Sequence, residues 1–320
     1  MTTQIPQDFS KDICNDSFYM RELSLAPDRF GESNAVLVYR PSDMQSKKAV
    51  LYIHGFIDYF FQWEMADFFN GHGFNFFAID LRRYGRALHP GQKPNIIEAM
   101  EDYYRELDKA VDIIKNEFGN EFILLKGHST GGLIASLYAN DKPEVVDAVI
   151  LNSAFFEFNI SSFERYALMP LVKLLHGVLP KMGLDSLGEA YPKSLHKDYY
   201  GEWDFNTKWK PIENFPAFLA WLNAIRNGHK RVHKGLNIKA PVLSMFSSKS
   251  YKKKKYDPVA QESDAVLDVE HISKYSGNLG DNVTKLEIEN GIHDLVLSRK
   301  DVREKVYQEM EKWLLENRFI

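Results

Sequence analysis

The chain has 320 residues, 44% of them hydrophobic and 26% charged, with a formal net charge of −4. That composition supports a substantial core and excludes a disordered chain, and the small net charge gives no electrostatic footprint for nucleic acid, so none is expected as a partner. The single cysteine, Cys14, excludes an intramolecular disulfide framework and a cysteine-rich metal site.

The N-terminus, Met-Thr-Thr-Gln-Ile-Pro-Gln-Asp, lacks a basic start followed by an apolar run, so no signal peptide is expected. Nor is there a stretch of about 18 uncharged apolar residues, so the expectation is a cytoplasmic protein without integral membrane association. Residues 18–25 and 34–40 read as an antiparallel strand pair. Residues 49–54, 74–80, 122–126, 146–152 and 241–247 are nearly continuous apolar runs, the pattern of strands buried on both faces of a parallel sheet. Residues 97–118 place Met100, Tyr104, Leu107, Val111 and Ile114 at helical spacing, with Gly119 as a C-cap. Residues 283–289 form the last strand and residues 299–317 the last helix. Alternating strands and helices predict an α/β fold with a mostly parallel eight-stranded sheet. Residues 155–239 break the alternation. They are rich in prolines and aromatics and read as a helical lid inserted between core segments 1–154 and 240–320.

Gly127-His128-Ser129-Thr130-Gly131-Gly132 lies between an apolar strand and a helical run. Strand, Gly-x-Ser-x-Gly turn, helix is the pattern of a nucleophile elbow. A sharp bend lifts the serine Oγ clear of the sheet, and side chains at the flanking glycine positions would clash. A serine hydroxyl needs a base, and the base needs a carboxylate to fix its tautomer. In such folds the chain order is serine, acid, histidine. His293, in Gly291-Ile-His-Asp-Leu, follows the final strand and is the candidate base, with His271 in reserve. Asp257, Asp264 and Asp268 compete for the acid. Asp264 is favoured because it precedes a short apolar run, whereas Asp268 suits a first helical turn and Asp257 a turn before Pro258. The oxyanion needs two N–H donors. Thr130, after the serine, and Phe56, in the His54-Gly55-Phe56 loop, are assigned, with His54 given a structural role.

These residues together resemble the α/β-hydrolase superfamily, and within it the lysophospholipase and monoacylglycerol-lipase-like group, which shares a domain type with serine aminopeptidases. Ser129 matches that group's nucleophile in Gly-His-Ser-x-Gly-Gly, His54-Gly55-Phe56 its oxyanion loop, His293-Asp294 its histidine motif and Asp264 its acid position. Residues 80–87, Asp-Leu-Arg-Arg-Tyr-Gly-Arg-Ala, resemble its Asp-x-Arg-Gly-x-Gly-x-Ser loop, with Arg83 in place of glycine and Ala87 in place of serine. Thr130 stands where methionine is common, and the loop from Ser247 to Ser263 is longer than typical. The resemblance implies a serine hydrolase.

The reading is therefore an esterase working through Ser129, Asp264 and His293 without metal or cofactor. Aromatics in the insertion (Phe155, Phe156, Phe158, Phe163, Tyr166, Trp203, Trp209, Phe215, Phe218, Trp221) suggest a small-molecule ester with an apolar acyl group. One rival is a proline-releasing aminopeptidase holding the substrate amine with Glu157, Glu164, Glu189 or Glu202. A second is a binding protein that uses the same pocket without catalysis. His229 and His233 have the one-turn spacing of metal ligands but lack a third ligand nearby, so a solvated basic helix is expected. Lys252 to Lys255 reads as a solvated face. Nothing in the sequence sets the oligomeric state.

Overall fold

Val50, Leu51, Tyr52 and Ile53, like Phe76, Phe77, Ala78 and Ile79, expose no surface. Runs buried on both faces require a sheet covered on both sides. The computed structural model describes residues 5–320, save Ser186, Lys254 and the side chains of residues 162, 163, 165 and 166. The side chains of Phe163 and Tyr166, and Lys254, thus lie outside the described residues.

The first half of the chain carries β1 (Ser10–Lys11), β2 (Tyr19–Asp28), β3 (Gly31–Arg40), β4 (Lys48–Ile53), α1 (Trp63–Gly71) and β5 (Phe74–Asp80). α2 (Tyr104–Asp112), β6 (Phe122–His128), α3 (Thr130–Asp141) and β7 (Ala148–Asn152) follow. Next come α4 (Ser162–Leu175), β8 (Gly183–Leu184), α5 (Ala190–Leu195), β9 (Ala217–Phe218) and α6 (Leu219–Lys234). The chain closes with β10 (Val242–Ser247), α7 (Val269–Ser276), β11 (Val283–Ile288) and α8 (Lys300–Glu316). Nine strands form one sheet in the order β1-β2-β3-β5-β4-β6-β7-β10-β11. From β5 to β11 the pairs are parallel; β1, β2 and β3 run antiparallel. All eight expected strands are present, and the two-residue β1 adds an edge. Period-2 alternation splits the core: Leu51 and Ile53 of β4 face one apolar layer, Val50 and Tyr52 the other.

The expected helix at 97–118 is interrupted. A 3₁₀ turn at Met100–Tyr103 precedes α2, and a π turn at Ile113–Glu117 follows it. The Asp102 carboxylate accepts the Glu98 and Ala99 N–H groups at 3.1 and 2.9 Å, which holds the entry turn. Gly119 ends the run at φ 67°.

Arg83 also sits at positive φ, 63°. A bulky residue there is strained, and its guanidinium is held by the Asp28 carboxylate at 2.7 and 2.8 Å. Next to it the fully buried Arg82 pairs with Glu106 through two bonds of 2.7 Å. Arg86 bridges Asp12 and Asp80. These pairs fasten the loop after β5 to β2 and α2.

Residues 155–239 carry α4, α5, α6 and the small β8–β9 ribbon between β7 and β10. The expectation of a solvated helix around His229 is corrected. His229 is fully buried, its Nε2 lying 3.0 Å from the Phe155 carbonyl, and His233 Nε2 lies 2.8 Å from the Phe156 carbonyl. The two imidazoles pin α6 to the chain leaving β7, because α6 turns this face inward rather than toward water. Among the described residues, no helix is long and apolar enough to cross a membrane.

Candidate active site

The bend after β6 is made by sterics. A Cβ on Gly131 would lie 2.1 Å from the Ile53 carbonyl oxygen, and one on Gly127 would lie 2.4 Å from the Gly131 carbonyl oxygen. Neither position admits a side chain. Ser129 between them takes φ 52°, ψ −116°, a conformation that costs a non-glycine residue about 1–3 kcal/mol. The surroundings hold it there. Its N–H donates to the Asn152 carbonyl at 3.0 Å, and its own carbonyl accepts from Gly132 and Phe155. α3 begins at Thr130, so its N-terminal amides and partial positive charge stand beside the serine.

His293 follows β11, on the loop before α8. Its Nε2 lies 3.0 Å from Ser129 Oγ, and its Nδ1 lies 2.8 Å from Asp264 Oδ2. A carboxylate only accepts, so Nδ1 carries the proton and Nε2 is left to accept the serine hydroxyl. Ser129, His293 and Asp264 are all buried. The second Asp264 oxygen accepts the Val266 and Leu267 N–H groups at 2.8 and 2.7 Å, which fixes the carboxylate plane. The competing acids are placed elsewhere. Asp268 caps α7 through the Glu270 N–H and pairs with Lys252 at 3.2 Å. Asp257 caps the 3₁₀ turn at Pro258–Glu262 through the Val259 N–H. His271 lies on α7 at the wall of the cavity, and His293 is the imidazole that meets Ser129.

Two further histidines shape the floor. His54 Nε2 accepts the Leu81 N–H at 3.0 Å, so its Nδ1 donates to the Gly55 carbonyl at 2.8 Å. Burial lowers its pKa and keeps the ring neutral. His128 donates to the Asn152 carbonyl, and burial followed by the neighbouring His293 pushes its pKa well down.

Ser129 and His293 open on a cavity of about 810 Å³. Phe56 and Thr130 stand at its floor, and Phe155, Phe158, Met169 and Trp221 supply apolar wall. The Phe56 ring stacks on Trp221 at 4.0 Å between centroids, so the loop after β4 touches α6 directly. Three other insertion aromatics are engaged elsewhere. Trp203 donates to the Leu297 carbonyl, Trp209 meets Tyr59 edge-on, and Phe218 is buried in a small cluster beside Ile96.

Sequence reasoning missed a set of buried polar residues next to this line. Asp58 pairs with Lys210 at 2.8 Å, both nearly inaccessible and both at the cavity wall. Asp294 is fully buried and receives amide N–H groups from Asn152 and Gln62. Lys126, a lone charge in an otherwise apolar strand, is fully buried on β6, and burial lowers its ammonium to about 8. That lone charge is the one feature legible beforehand. Asp58, His128 and Asp294 present possible ligand atoms within 4.8 Å of one another. Lys210 Nζ holds one Asp58 oxygen and two amides hold Asp294, while the second Asp58 oxygen has no hydrogen-bond partner among the described residues.

A serine on a strand–turn–helix bend, with an imidazole and a carboxylate after later strands of a mostly parallel sheet, defines an α/β hydrolase. Residues 44–249 match the family described as serine aminopeptidase, S33, and the chain belongs to that family. The matched stretch includes Phe56, Ser129 and Thr130 and ends before Asp264 and His293. A monoglyceride lipase homolog of Monkeypox virus is 24% identical over 253 residues, 78% of this chain and 83% of that protein. The monoglyceride lipase of Mus musculus is 28% identical over 127 residues, 40% of this chain and 41% of that protein. Among solved structures, the monoacylglycerol lipase of Paleococcus ferrophilus superposes with a TM-score of 0.64 at 19% identity, covering 93% of this chain and 98% of that one. A carboxyl esterase from Bacillus coagulans superposes with a TM-score of 0.66 at 15% identity over the same shares.

Proposed function

We propose that the protein cleaves carboxylic esters through an acyl-enzyme on Ser129. The observation that carries this reading is the hydrogen-bonded line Asp264–His293–Ser129 at the floor of an apolar-walled cavity. His293 Nε2 takes the hydroxyl proton as Oγ attacks the ester carbonyl. Asp264 stabilises the imidazolium that forms. The Phe56 and Thr130 N–H groups receive the oxyanion. When the tetrahedral adduct collapses, His293 gives the proton to the leaving alcohol. Water, deprotonated by the same nitrogen, then attacks the acyl carbonyl and frees Ser129.

Residues 155–239 act as a lid over a core of residues 1–154 and 240–320. Their apolar wall favours a small-molecule ester with an apolar acyl chain, in keeping with the monoglyceride lipases among the relatives. An aminopeptidase would need a carboxylate in the cavity for the substrate amine. Of the four glutamates considered, Glu189 pairs with Lys193, Glu202 with Arg303, and Glu157 lies beside Arg226. Glu164 reaches the cavity, but its carboxylate accepts the Ser161 N–H at the start of α4. Ester chemistry is favoured by the apolar wall and by the monoglyceride lipases among the relatives. Turnover of p-nitrophenyl esters of graded chain length, set against an N-terminal-proline anilide, tests it. Cleavage of the anilide in preference to every ester would overturn the reading.

A further inference from the structure

His293 hangs from β11, the last strand of the sheet, whereas Ser129 rises from β6 near its middle. Asp264 holds one ring nitrogen but does not set where the loop stands relative to the serine. Another residue spans that gap. Asn152, at the end of β7, accepts the Ser129 N–H through its backbone carbonyl at 3.0 Å. Its side-chain Nδ2 donates to Asp294 Oδ1 at 2.6 Å, and its Oδ1 accepts the Leu295 N–H at 3.1 Å. Asp294 and Leu295 immediately follow His293. Gln62, just before α1, donates to the other Asp294 oxygen at 3.1 Å. Asn152, Asp294 and Gln62 are all buried, so water cannot replace these bonds when one is removed.

We propose that Asn152 and Asp294 are positioning residues, a side-chain tether that fixes the distance between the nucleophile bend and the histidine loop. The tether touches no substrate. It acts through His293, independently of the triad carboxylate, and it rests on the reading of Ser129 and His293 as nucleophile and base. Lys126 suits the same arrangement. Its Nζ has no hydrogen-bond partner among the described residues, and burial, only partly opposed by the Asp294 charge, lowers its pKa to about 8. The ammonium thus offsets the buried carboxylate without taking either of its oxygens from the amides.

The test is the rate at which a fluorophosphonate labels Ser129, read with kcat and KM on a p-nitrophenyl ester. Labelling reports the serine–imidazole pair whatever the natural substrate is. Asp294→Ala and Asn152→Ala are expected to slow labelling and kcat together by about 10- to 100-fold, since small misplacements of a reacting pair cost that much, with KM close to wild type. Asp294→Asn keeps an oxygen for Asn152 but turns an N–H group toward the Gln62 amide donor, and is expected to label faster than Asp294→Ala and more slowly than wild type. If the alanine variants fail to fold, Gln62→Ala, which removes one bond to Asp294, carries the test and is expected to label several-fold more slowly than wild type. Variants that label as fast as wild type would overturn the tether, as would Asp294→Asn labelling as slowly as Asp294→Ala. A wild-type protein that does not label at all would instead overturn the nucleophile reading on which the tether rests.

Discussion

The two sides of the proposed catalytic cleft are built by different physics. The nucleophile side is set by backbone sterics: β6 lies between β4 and β7, and two glycines exist where any Cβ would strike a carbonyl. The acid–histidine side is set by side-chain hydrogen bonds across the end of the sheet, from Asp264 to His293 and from Asn152 to Asp294. Close packing makes the first side rigid. The second is only as rigid as its buried polar bonds are complete. Changes on the first side should therefore cost stability or everything, and changes on the second should grade the rate.

Ser129→Ala has the largest expected effect. It is expected to lower kcat on esters by at least about 10⁴-fold while the thermal transition stays put, because removal of a triad member leaves the fold and binding intact. Asp264→Asn keeps the shape but removes the charge that stabilises the imidazolium, and a loss of about 10⁴-fold in kcat is expected. Gly131→Ala sharpens the steric side. A methyl 2.1 Å from the Ile53 carbonyl should lower stability by about 3 kcal/mol or prevent folding, read as a fall in urea midpoint. Asp268→Asn is the small-effect control. It keeps an oxygen for the Glu270 N–H, removes only the charge facing the exposed Lys252, and should leave kcat close to wild type. A larger rate loss than for Asp264→Asn would move the triad acid to Asp268.

Lys126 gives the signal most specific to one group. Its folded pKa, about 8, lies below its ordinary 10.5. Between those values the unfolded chain holds more of this proton than the folded chain, so this group makes stability rise with pH across that window. Lys126→Met should remove that part of the slope in urea titrations at several pH values. An unchanged slope would contradict the burial of the ammonium.

The same contrast governs what the sequence made legible. The bend at Ser129 leaves a steric imprint, glycines at fixed offsets between a strand and a helix, and residues 127–132 could be read at once. Long apolar runs likewise announced the parallel strands. Asp264 was harder, because a carboxylate in a loop follows no spacing rule and Asp257 and Asp268 carry equal charge; their caps exist only in three dimensions. Asn152 and Gln62 left no pattern, and Asp294 showed only as the neighbour of His293 in its motif, since each is distant from the others in sequence and meets them only across the folded sheet. His229 misled for a related reason. Its basic neighbours suggested a wet helix face, while burial is decided by which side of α6 turns toward Phe155.

The most direct measurement is the mass of the peptide carrying Ser129 after reaction with a fluorophosphonate. The account predicts one phosphonyl adduct per chain, on Ser129, formed rapidly by the wild-type protein and far more slowly by His293→Ala. An adduct on another residue, or an unmodified Ser129 in a folded protein that still cleaves esters, would contradict it.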